Sequence, residues 1–489
     1  MTSNARLLDV AVVRDVHSRR TVWIGLLLGF AAAGSGLASP IAALGVRPWH
    51  MFVALAALIA LTSIPPRDLL ATRVRGVDIA TAAFVVVLVI VELVNSVELS
   101  FNVDYVGMLS PLFYFAGYLA ARGAVRTAMD ALRFLRSFVL PIFVIAPLAI
   151  GQSLGVPAIT NFVLTIAPGA GALRRLENDG LTRATGLVGH WTGFGGYLII
   201  VVAAALAILI ITARHTPKAG KATELRLEKS NFRPLAIWAL LFAFVCLVTT
   251  LTFSVVLTAA VTVLLCARAA GFGRQVILLF GAVGVVGAVA FGALIEVRLN
   301  QQFAGRGGTA LPGLPEWLPS TLNYRLRIWL EQTIPMISDR PITGWGNGTY
   351  EAVFGGREPG RVYPAQLSWH SPESQWFGTA MTYGVTGLVA QVILLTAVCV
   401  LLVRAARQAS VRAAALPLLV TFVCAVATSI TVPLFTNRGF PVAFWILVGV
   451  VAGLQAGAQS KSGVTTATPQ SDRPRPMRPT MATVPRSLE

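Results

Sequence analysis

Long apolar runs dominate this chain and restrict the folds that are open to it. Hydrophobic residues make up 55% of its 489 positions and charged residues 12%, whereas a typical soluble domain has about 25% charged residues. Many of the runs approach the ~20 residues that a helix needs to cross the hydrocarbon core of a bilayer. The sequence therefore predicts an all-α polytopic membrane protein.

About twelve transmembrane helices are predicted, and they define the domain plan. A cytoplasmic N-terminus, residues 1–20, precedes a transmembrane domain over residues 21–458. The first span is expected to be retained, since no small-residue cleavage site follows it. The tail, residues 459–489, is rich in Pro, Thr, Ser and Arg and is predicted to be disordered. The predicted spans are 21–38, 48–64, 78–97, 103–121, 137–154, 188–212, 235–250, 253–267, 275–295, 378–403, 413–433 and 440–458.

Basic residues orient these spans in the membrane. With both termini on one side, 27 of the 39 Lys and Arg residues, including all four Lys, fall on that side. Cytoplasmic loops carry such an excess, so both termini are predicted to lie in the cytoplasm. The net charge of +18 is assigned to these loops, and no nucleic-acid partner is predicted.

Twelve arginines remain on the predicted outer side, where the same rule disfavours them. Seven of these lie in the largest polar segment, residues 298–377, which precedes span ten. An extracytoplasmic loop of about 80 residues is longer than a connection requires, and loops of this length are usually functional. The structural alternative to a functional role is that most of these arginines form ion pairs with the carboxylates of the same loop. The seven are Arg298, Arg306, Arg325, Arg327, Arg340, Arg357 and Arg361.

One stretch of this loop, "STLNYRLRIWLEQTIPMISDRP" (320–341), is predicted to be a helix. Ser320 is the expected N-cap, and Pro335 is expected to loosen the last turn. Arg325 lies on the flank of the apolar face and is the candidate for a buried anion contact. Arg327 lies opposite, four residues before Glu331, where a surface ion pair is the ordinary expectation, so it is a secondary candidate. The predicted face consists of Leu322, Leu326, Trp329, Leu330, Thr333 and Ile337.

Alternating glycines follow that helix in "RPITGWGNGTY" (340–350). Gly344, Gly346 and Gly348 favour a tight turn in which another backbone approaches closely. The turn lacks the Lys-Ser/Thr of a phosphate-binding P-loop.

A lone histidine precedes span ten in "VYPAQLSWHSPESQWF" (362–377). Ser371 followed by Pro372 predicts an N-cap and the first helical residue, with Glu373 in the first turn. His370 would then stand at a helix N-terminus, which attracts anions and disfavours a protonated imidazole. A neutral histidine there suits a general base. The structural alternative to this catalytic role is that His370 packs at the lipid–water interface.

These segments resemble the O-antigen ligase and O-antigen polymerase superfamily. The first matching part is "RATGLVGHWTGFGGYL" (183–198). The second extends from "YRLRIW" through "DRPITGWGNGTY" to "HSPESQWFGTAMTYGVTGLV". The chain departs from the family pattern at Ser371, where Asn is frequent. It also departs after the seventh span, where "TFSVV" contains Ser254 but lacks the arginine of many members.

The resemblance implies an inverting, metal-independent glycosyltransferase of the membrane-embedded C type, which builds cell-envelope polysaccharide in the cytoplasmic (inner) membrane of a bacterium. It would transfer a glycan from a polyprenyl diphosphate carrier to a sugar hydroxyl of the acceptor on the outer face of the membrane, without a cofactor. Arg183 and Arg325 would bind the donor diphosphate, and His370 would be the catalytic base. His190 is the competing base or a positioning residue, while Glu373 and Ser371 are secondary candidates. Ligase and polymerase both remain open.

A transporter or flippase of a lipid-linked glycan or small solute is the alternative from another functional class. Such proteins usually carry charged or broken helices at mid-membrane. Here Glu92 is the one notable charge within a span, and it lies near the predicted outer end. The polar chemistry lies in the outer loops instead, which favours the enzyme.

The topology makes a direct prediction for membrane-impermeant thiol reagents applied to intact cells. A cysteine placed at Gly307, in the large loop, should react from outside, and one placed at Ser462, in the tail, should not. Reaction at Ser462 without reaction at Gly307 would contradict the topology.

Overall fold

Helices make up the fold. The computed structural model describes residues 2–39, 46–63, 76–99, 105–168, 183–214, 232–271, 319–347 and 372–465, together with scattered positions between 274 and 300. No strand occurs in these segments, and the predicted all-α class is confirmed. His370, Ser371 and Gly348 lie outside the described residues, as do most of the loop 298–377 and the end of the tail.

Fifteen α-helices of this part of the chain are numbered here in order, apart from the scattered positions. They are α1 (Thr2–Ala33), α2 (Pro48–Ser63), α3 (Gly76–Leu99), α4 (Tyr105–Ala124), α5 (Ala128–Val139), α6 (Ile142–Ser153), α7 (Pro157–Ile166), α8 (Trp191–Arg214), α9 (Phe232–Thr249), α10 (Phe253–Ala270), α11 (Ser320–Ile328), α12 (Ile334–Asp339), α13 (Gln375–Arg407), α14 (Arg412–Thr428) and α15 (Gly439–Thr465). A π-helical turn, Trp329–Thr333, joins α11 to α12.

Seven helical segments in the described residues are long and apolar enough to cross a membrane. Shorter apolar helices cover Pro48–Thr62, Pro157–Ile166 and Arg412–Thr428. The chain is thus a multi-pass membrane protein, and the total of about twelve spans stays a prediction. The seven segments are Gly76–Leu99, Ala128–Ser153, Trp191–Ala213, Phe232–Thr249, Phe253–Ala270, Gln375–Arg407 and Gly439–Gln459.

Helices α8 and α15 form the centre of the bundle, with 94% of each candidate span buried. Small residues in α15 allow it to pack closely against α8 and against the end of α4. A Cβ atom on Gly439 would clash with the carbonyl oxygen of Gly193 at the start of α8, and one on Gly453 would clash with the carbonyl oxygens of Val125 and Arg122. Glycines have the same use in other membrane helices, where backbones must approach each other.

An ion pair ties α3 to α4 at the end of the bundle that is predicted to face the cytoplasm. Arg122 donates to Asp78 across 2.7 Å, and the Tyr118 hydroxyl donates to the other carboxylate oxygen across 2.8 Å. Both arginine and aspartate side chains are largely buried. The ion pair gives each buried charge a partner of opposite sign, which a charge removed from water requires.

The loop helix forms as predicted but departs from the predicted details at both ends. Pro319, not Ser320, occupies the N-cap, so that prediction is wrong by one residue. The π turn follows because Pro335 has no N–H and the α-helical bond to Glu331 is lost. Ile334 N–H donates to the Trp329 carbonyl, five residues earlier, and not to the Leu330 carbonyl, four residues earlier.

The π turn also rotates the buried face of this helix. One extra residue in a turn breaks the 100° spacing on which the predicted face depended. Leu330, assigned to that face, is 56% exposed, so the assignment is wrong there. The buried residues are Ile328, Gln332, Thr333 and Met336.

Helix α13 begins three residues later than predicted. Ser374 is at the N-cap and Gln375 is the first helical residue, whereas Ser371 and Pro372 were expected in those positions. Glu373 is not in the first turn but adopts a left-handed conformation with φ 52°. The reason is non-local: the Trp329 indole donates to the Pro372 carbonyl (2.7 Å), and Gln375 N–H donates to the Ser429 carbonyl (3.0 Å). His370 is therefore not adjacent to the helix N-terminus.

Candidate functional site

A cavity of about 790 Å³, called here the polar cavity, opens between the N-terminal ends of α2, α13 and α15. Its volume is within the usual range for small-molecule sites. Aromatic, amide and hydroxyl side chains line it, together with two arginines and a histidine. The lining residues used below are Arg47, Trp49, His50, Tyr114, Asn347, Pro372, Ser374, Gln375, Gln391, Asn437 and Arg438.

The glycine turn is bound to a break in α13. Gly384 in α13 has φ 63° and ψ −166°, far from helical values. Trp345 N–H donates to the Met381 carbonyl (2.9 Å), Gly346 N–H to the Thr382 carbonyl (2.8 Å), and Val385 N–H to the Pro341 carbonyl (2.7 Å). The turn therefore satisfies backbone groups that the break leaves free.

Two glycines permit this contact. Gly344 has φ 65°, and a Cβ atom on it would lie 2.5 Å from the Met381 carbonyl oxygen. A Cβ atom on Gly384 would clash with the Ile342 carbonyl. The close backbone approach predicted for Gly344 is present, and Gly346 shares the positive φ.

The end of α3 supports the glycine turn from the other side. Asn95 donates to the Thr343 carbonyl (2.8 Å), and Asn347 N–H donates to the Glu92 carboxylate (2.8 Å). Arg340 donates to the Gly344 carbonyl (2.8 Å) and pairs with Glu98. Glu92 thus holds the backbone of Asn347, which lines the polar cavity.

Arg325 is not among the described residues that line the polar cavity but lies beside it, at its rim, through the contact with Glu373. Its guanidinium contacts the Glu373 carboxylate at 3.4 Å, and its Nε atom is buried without a hydrogen-bond partner in the described structure. Trp329, on the same helix, bonds to Pro372 and packs against Phe377 with the ring centroids 5.1 Å apart. Pro372 and Ser374, on either side of Glu373, line the cavity.

Arg327 lies on the surface, as the helical face predicted. It donates to Glu331 across 2.8 Å in an i,i+4 ion pair. Pairs of this kind stabilise a helix only slightly.

Arg183 is buried in a structural position at the turn between α9 and α10. It donates to the Thr250 carbonyl (2.9 Å), the Leu251 carbonyl (3.2 Å) and the Thr252 hydroxyl (2.6 Å). Its guanidinium also lies 4.5 Å from the Trp191 ring. These bonds fix a strained turn, since Leu251 has φ 49°.

His190 caps helix α8. Its Nδ1 atom accepts a hydrogen bond from Thr192 N–H (3.2 Å), and its ring stacks on Trp191 with centroids 4.4 Å apart. This geometry matches the structural hydrogen bonder that the sequence left open for His190.

His50, Arg47 and Arg438 line the cavity but were not predicted from the sequence as site residues. His50 is buried against Trp49 and Phe113, and its Nδ1 atom accepts from Arg47 N–H (3.0 Å). A signal existed in "RPWH" (47–50), which has a histidine close to a proline at the predicted outer start of a span, as "HSPES" (370–374) has. Within the described residues, no group of three His, Cys, Asp or Glu side chains could hold a metal ion.

The helix break gives a stability prediction. In Gly384→Ala, the added methyl group meets backbone atoms and must adopt a left-handed φ, which costs on the order of 1–3 kcal/mol. We expect a lower thermal midpoint in detergent and faster proteolysis within 340–347. Gly378→Ala, in the same helix, is the matched control, since its Cβ would meet only the Pro372 side chain at 3.6 Å. Equal midpoints for the two variants would contradict the proposed packing.

A comparison with known protein families identifies one part of the chain. The family model for O-antigen ligase matches residues 238–392, which include most of α9, all of α10 and the first half of α13. The match therefore spans Arg325, the glycine turn and the residues that begin α13. No curated protein matches the chain. The chain is thus a multi-pass membrane protein whose residues 238–392 are similar to the O-antigen ligase family.

Proposed function

We propose that this protein is an inverting, metal-independent glycosyltransferase that moves a glycan from a polyprenyl diphosphate to an acceptor sugar hydroxyl at the outer face of the cytoplasmic membrane. One observation carries the proposal: the O-antigen ligase match covers the segment that places Arg325 and Glu373 on the rim of the polar cavity. The cavity would hold the reacting sugars, and the lipid tail of the donor would lie against the bundle.

Arg325 would bind the diphosphate that leaves with the lipid. A diphosphate gains negative charge as its bond to the sugar breaks, and fixed cations lower the barrier to that step. The 3.4 Å contact with the partly exposed Glu373 is long for a charged hydrogen bond, so a phosphate oxygen can compete for this guanidinium. Arg183 would affect the donor only indirectly, because its hydrogen bonds hold the α9–α10 turn in place.

The choice of base follows from the hydrogen bonds of the histidines. In both His50 and His190, Nδ1 accepts from a backbone N–H. A neutral ring that accepts at Nδ1 carries its proton on Nε2, so its other ring nitrogen is a donor and not a base. Glu373 already contacts the Arg325 guanidinium at 3.4 Å, so it is assigned to the donor-binding side of the site and not to the acceptor.

His370 is then the proposed general base. Two peptide units connect it to Pro372, which limits the separation of their Cα atoms to about 7 Å, and Pro372 lines the cavity. The base would take the proton of the acceptor hydroxyl while its oxygen attacks the anomeric carbon opposite the diphosphate. The bond from that carbon to the phosphate oxygen breaks, the electron pair leaves with the diphosphate, and the configuration inverts.

Transfer by purified protein tests the proposed function. The substrates are a short-chain polyprenyl-diphosphate oligosaccharide and, separately, a glycolipid acceptor. A product that lengthens by repeats of the donor glycan identifies a polymerase, and a single transfer to the glycolipid identifies a ligase. Movement of intact donor across vesicles without any transfer would contradict the proposal.

Arg325→Ala should lower turnover far more than Arg327→Ala. Loss of a charged donor to the leaving group costs about 3 kcal/mol, roughly a hundredfold in rate. Arg327 has its own partner, Glu331, on the surface. The measurement is turnover by folded protein at saturating donor. Loss of activity only in Arg327→Ala would reverse the assignment.

His370→Gln should abolish most transfer between pH 6 and 9 and leave donor binding intact, because glutamine keeps hydrogen bonding but not basicity. His190→Gln is the matched control. A glutamine oxygen can accept from Thr192 N–H as the imidazole does, so turnover should be largely retained. Near-normal turnover in His370→Gln would show that His370 is not the base.

A further inference from the structure

A carboxylate lies within the membrane-spanning part of α3. Glu92 is 5% exposed and stands seven residues, about 10 Å along the helix axis, before the last residue of the helix, Leu99. The opposite side of the helix is apolar and exposed at Ile90 and Val97. A buried charge within a span is costly, and such residues usually serve the function of a membrane protein.

Glu92 completes a row of three backbone hydrogen bonds along the glycine turn. The N–H groups of Trp345 and Gly346 donate to carbonyl oxygens of α13. The next N–H, that of Asn347, donates across 2.8 Å to the Glu92 carboxylate on α3. A hydrogen bond to an ionised acceptor is about twice as strong as one between neutral groups, so Glu92 fixes the position at which the chain leaves the turn.

Asn95 holds the other end of the same turn. Glu92 and Asn95 are three residues apart and therefore lie on one face of α3. The buried Asn95 amide donates to the Thr343 carbonyl (2.8 Å) and accepts from Arg340 (3.2 Å). Two points on α3 thus hold residues 343 and 347, and the turn cannot rotate about its bonds to α13.

The residue that Glu92 holds by its backbone lines the polar cavity. Asn347 is part of the cavity wall, and a side-chain amide both donates and accepts hydrogen bonds, as a sugar hydroxyl does. The bond from its N–H to Glu92 fixes the backbone from which this amide extends. A displacement of about 1 Å in a group that orients a substrate can lower the rate about a hundredfold.

We propose that Asn347 contacts the glycan in the polar cavity and that Glu92 is the positioning residue that sets its place. This inference rests on the proposed function and adds two residues to the same site. Glu92 acts as a fixed acceptor for one backbone N–H and transfers no proton. Its negative charge strengthens that bond, but the acceptor oxygen is what the role requires.

Two substitutions of Glu92 separate the acceptor oxygen from the charge. A glutamine oxygen can still accept from Asn347 N–H, whereas leucine has no acceptor. We expect Glu92→Leu to lower turnover at saturating substrates about tenfold to a hundredfold and Glu92→Gln to retain most of it. Asn347→Ala, which keeps the backbone N–H, should lower turnover by a similar factor.

The double variant tests whether Glu92 acts through Asn347. Residues that act through one another have non-additive effects, and independent ones add. Turnover of Glu92→Leu/Asn347→Ala should therefore equal that of Asn347→Ala alone. A general loss of folded protein would instead multiply the two losses.

Hydrogen exchange at single amides gives a readout that needs no activity. In Glu92→Leu the amide of Asn347 should exchange faster, while those of Trp345 and Gly346 stay protected by α13. Glu98→Gln is the matched control, because it removes a more exposed carboxylate from the same helix that pairs with Arg340. Exchange at Asn347 should be unchanged in this control.

Each outcome decides the inference. Equal losses in Glu92→Gln and Glu92→Leu, multiplied losses in the double variant, or unchanged exchange at Asn347 in Glu92→Leu would overturn it. Absence of transfer by the wild-type protein would sink the proposed function alone. The Kd of a short-chain polyprenyl-diphosphate oligosaccharide in the same variants then replaces turnover, and an unchanged Kd in Asn347→Ala would overturn the inference as well.

Discussion

The backbone pairing between the glycine turn and the break in α13 is the contact on which the site depends. A helix that enters a bilayer cannot lose backbone hydrogen bonds without other partners, because lipid offers none. Here Trp345 and Gly346 donate to the carbonyls of Met381 and Thr382, and Val385 donates to Pro341. The turn supplies the partners and fixes its own position by doing so.

This pairing sets the direction of the first two turns of α13. The segment before Gly384 follows its own axis, and its residues Gln375 and Thr379 line the polar cavity. The same turn reaches α3 through Asn95 and Glu92. The cavity wall, the rim with Arg325 and the membrane helices are therefore one connected assembly of hydrogen bonds.

The arginines at this end of the bundle have different uses, although all of them lie on the predicted outer side of the membrane. Arg183 and Arg340 hold turns through carbonyl oxygens, and Arg327 forms a surface ion pair. Arg325 contacts the Glu373 carboxylate, and Arg438 lines the polar cavity. A guanidinium serves these different purposes because its planar fork donates equally well to carbonyl and carboxylate oxygens.

Local chemistry let the sequence alone determine the helical class, the Arg327–Glu331 pair and the close approach at Gly344, since each depends on residues within a few positions. The predicted start of α13 and the predicted buried face of the loop helix were wrong by small shifts. Ser374 displaced Ser371 because Trp329, 43 residues earlier, binds the Pro372 carbonyl. The polar cavity was missed entirely, because Arg47 and Arg438 are about 390 residues apart in the chain. Only packing of α2, α13 and α15 brings their N-termini together, and no local pattern records which helices become neighbours.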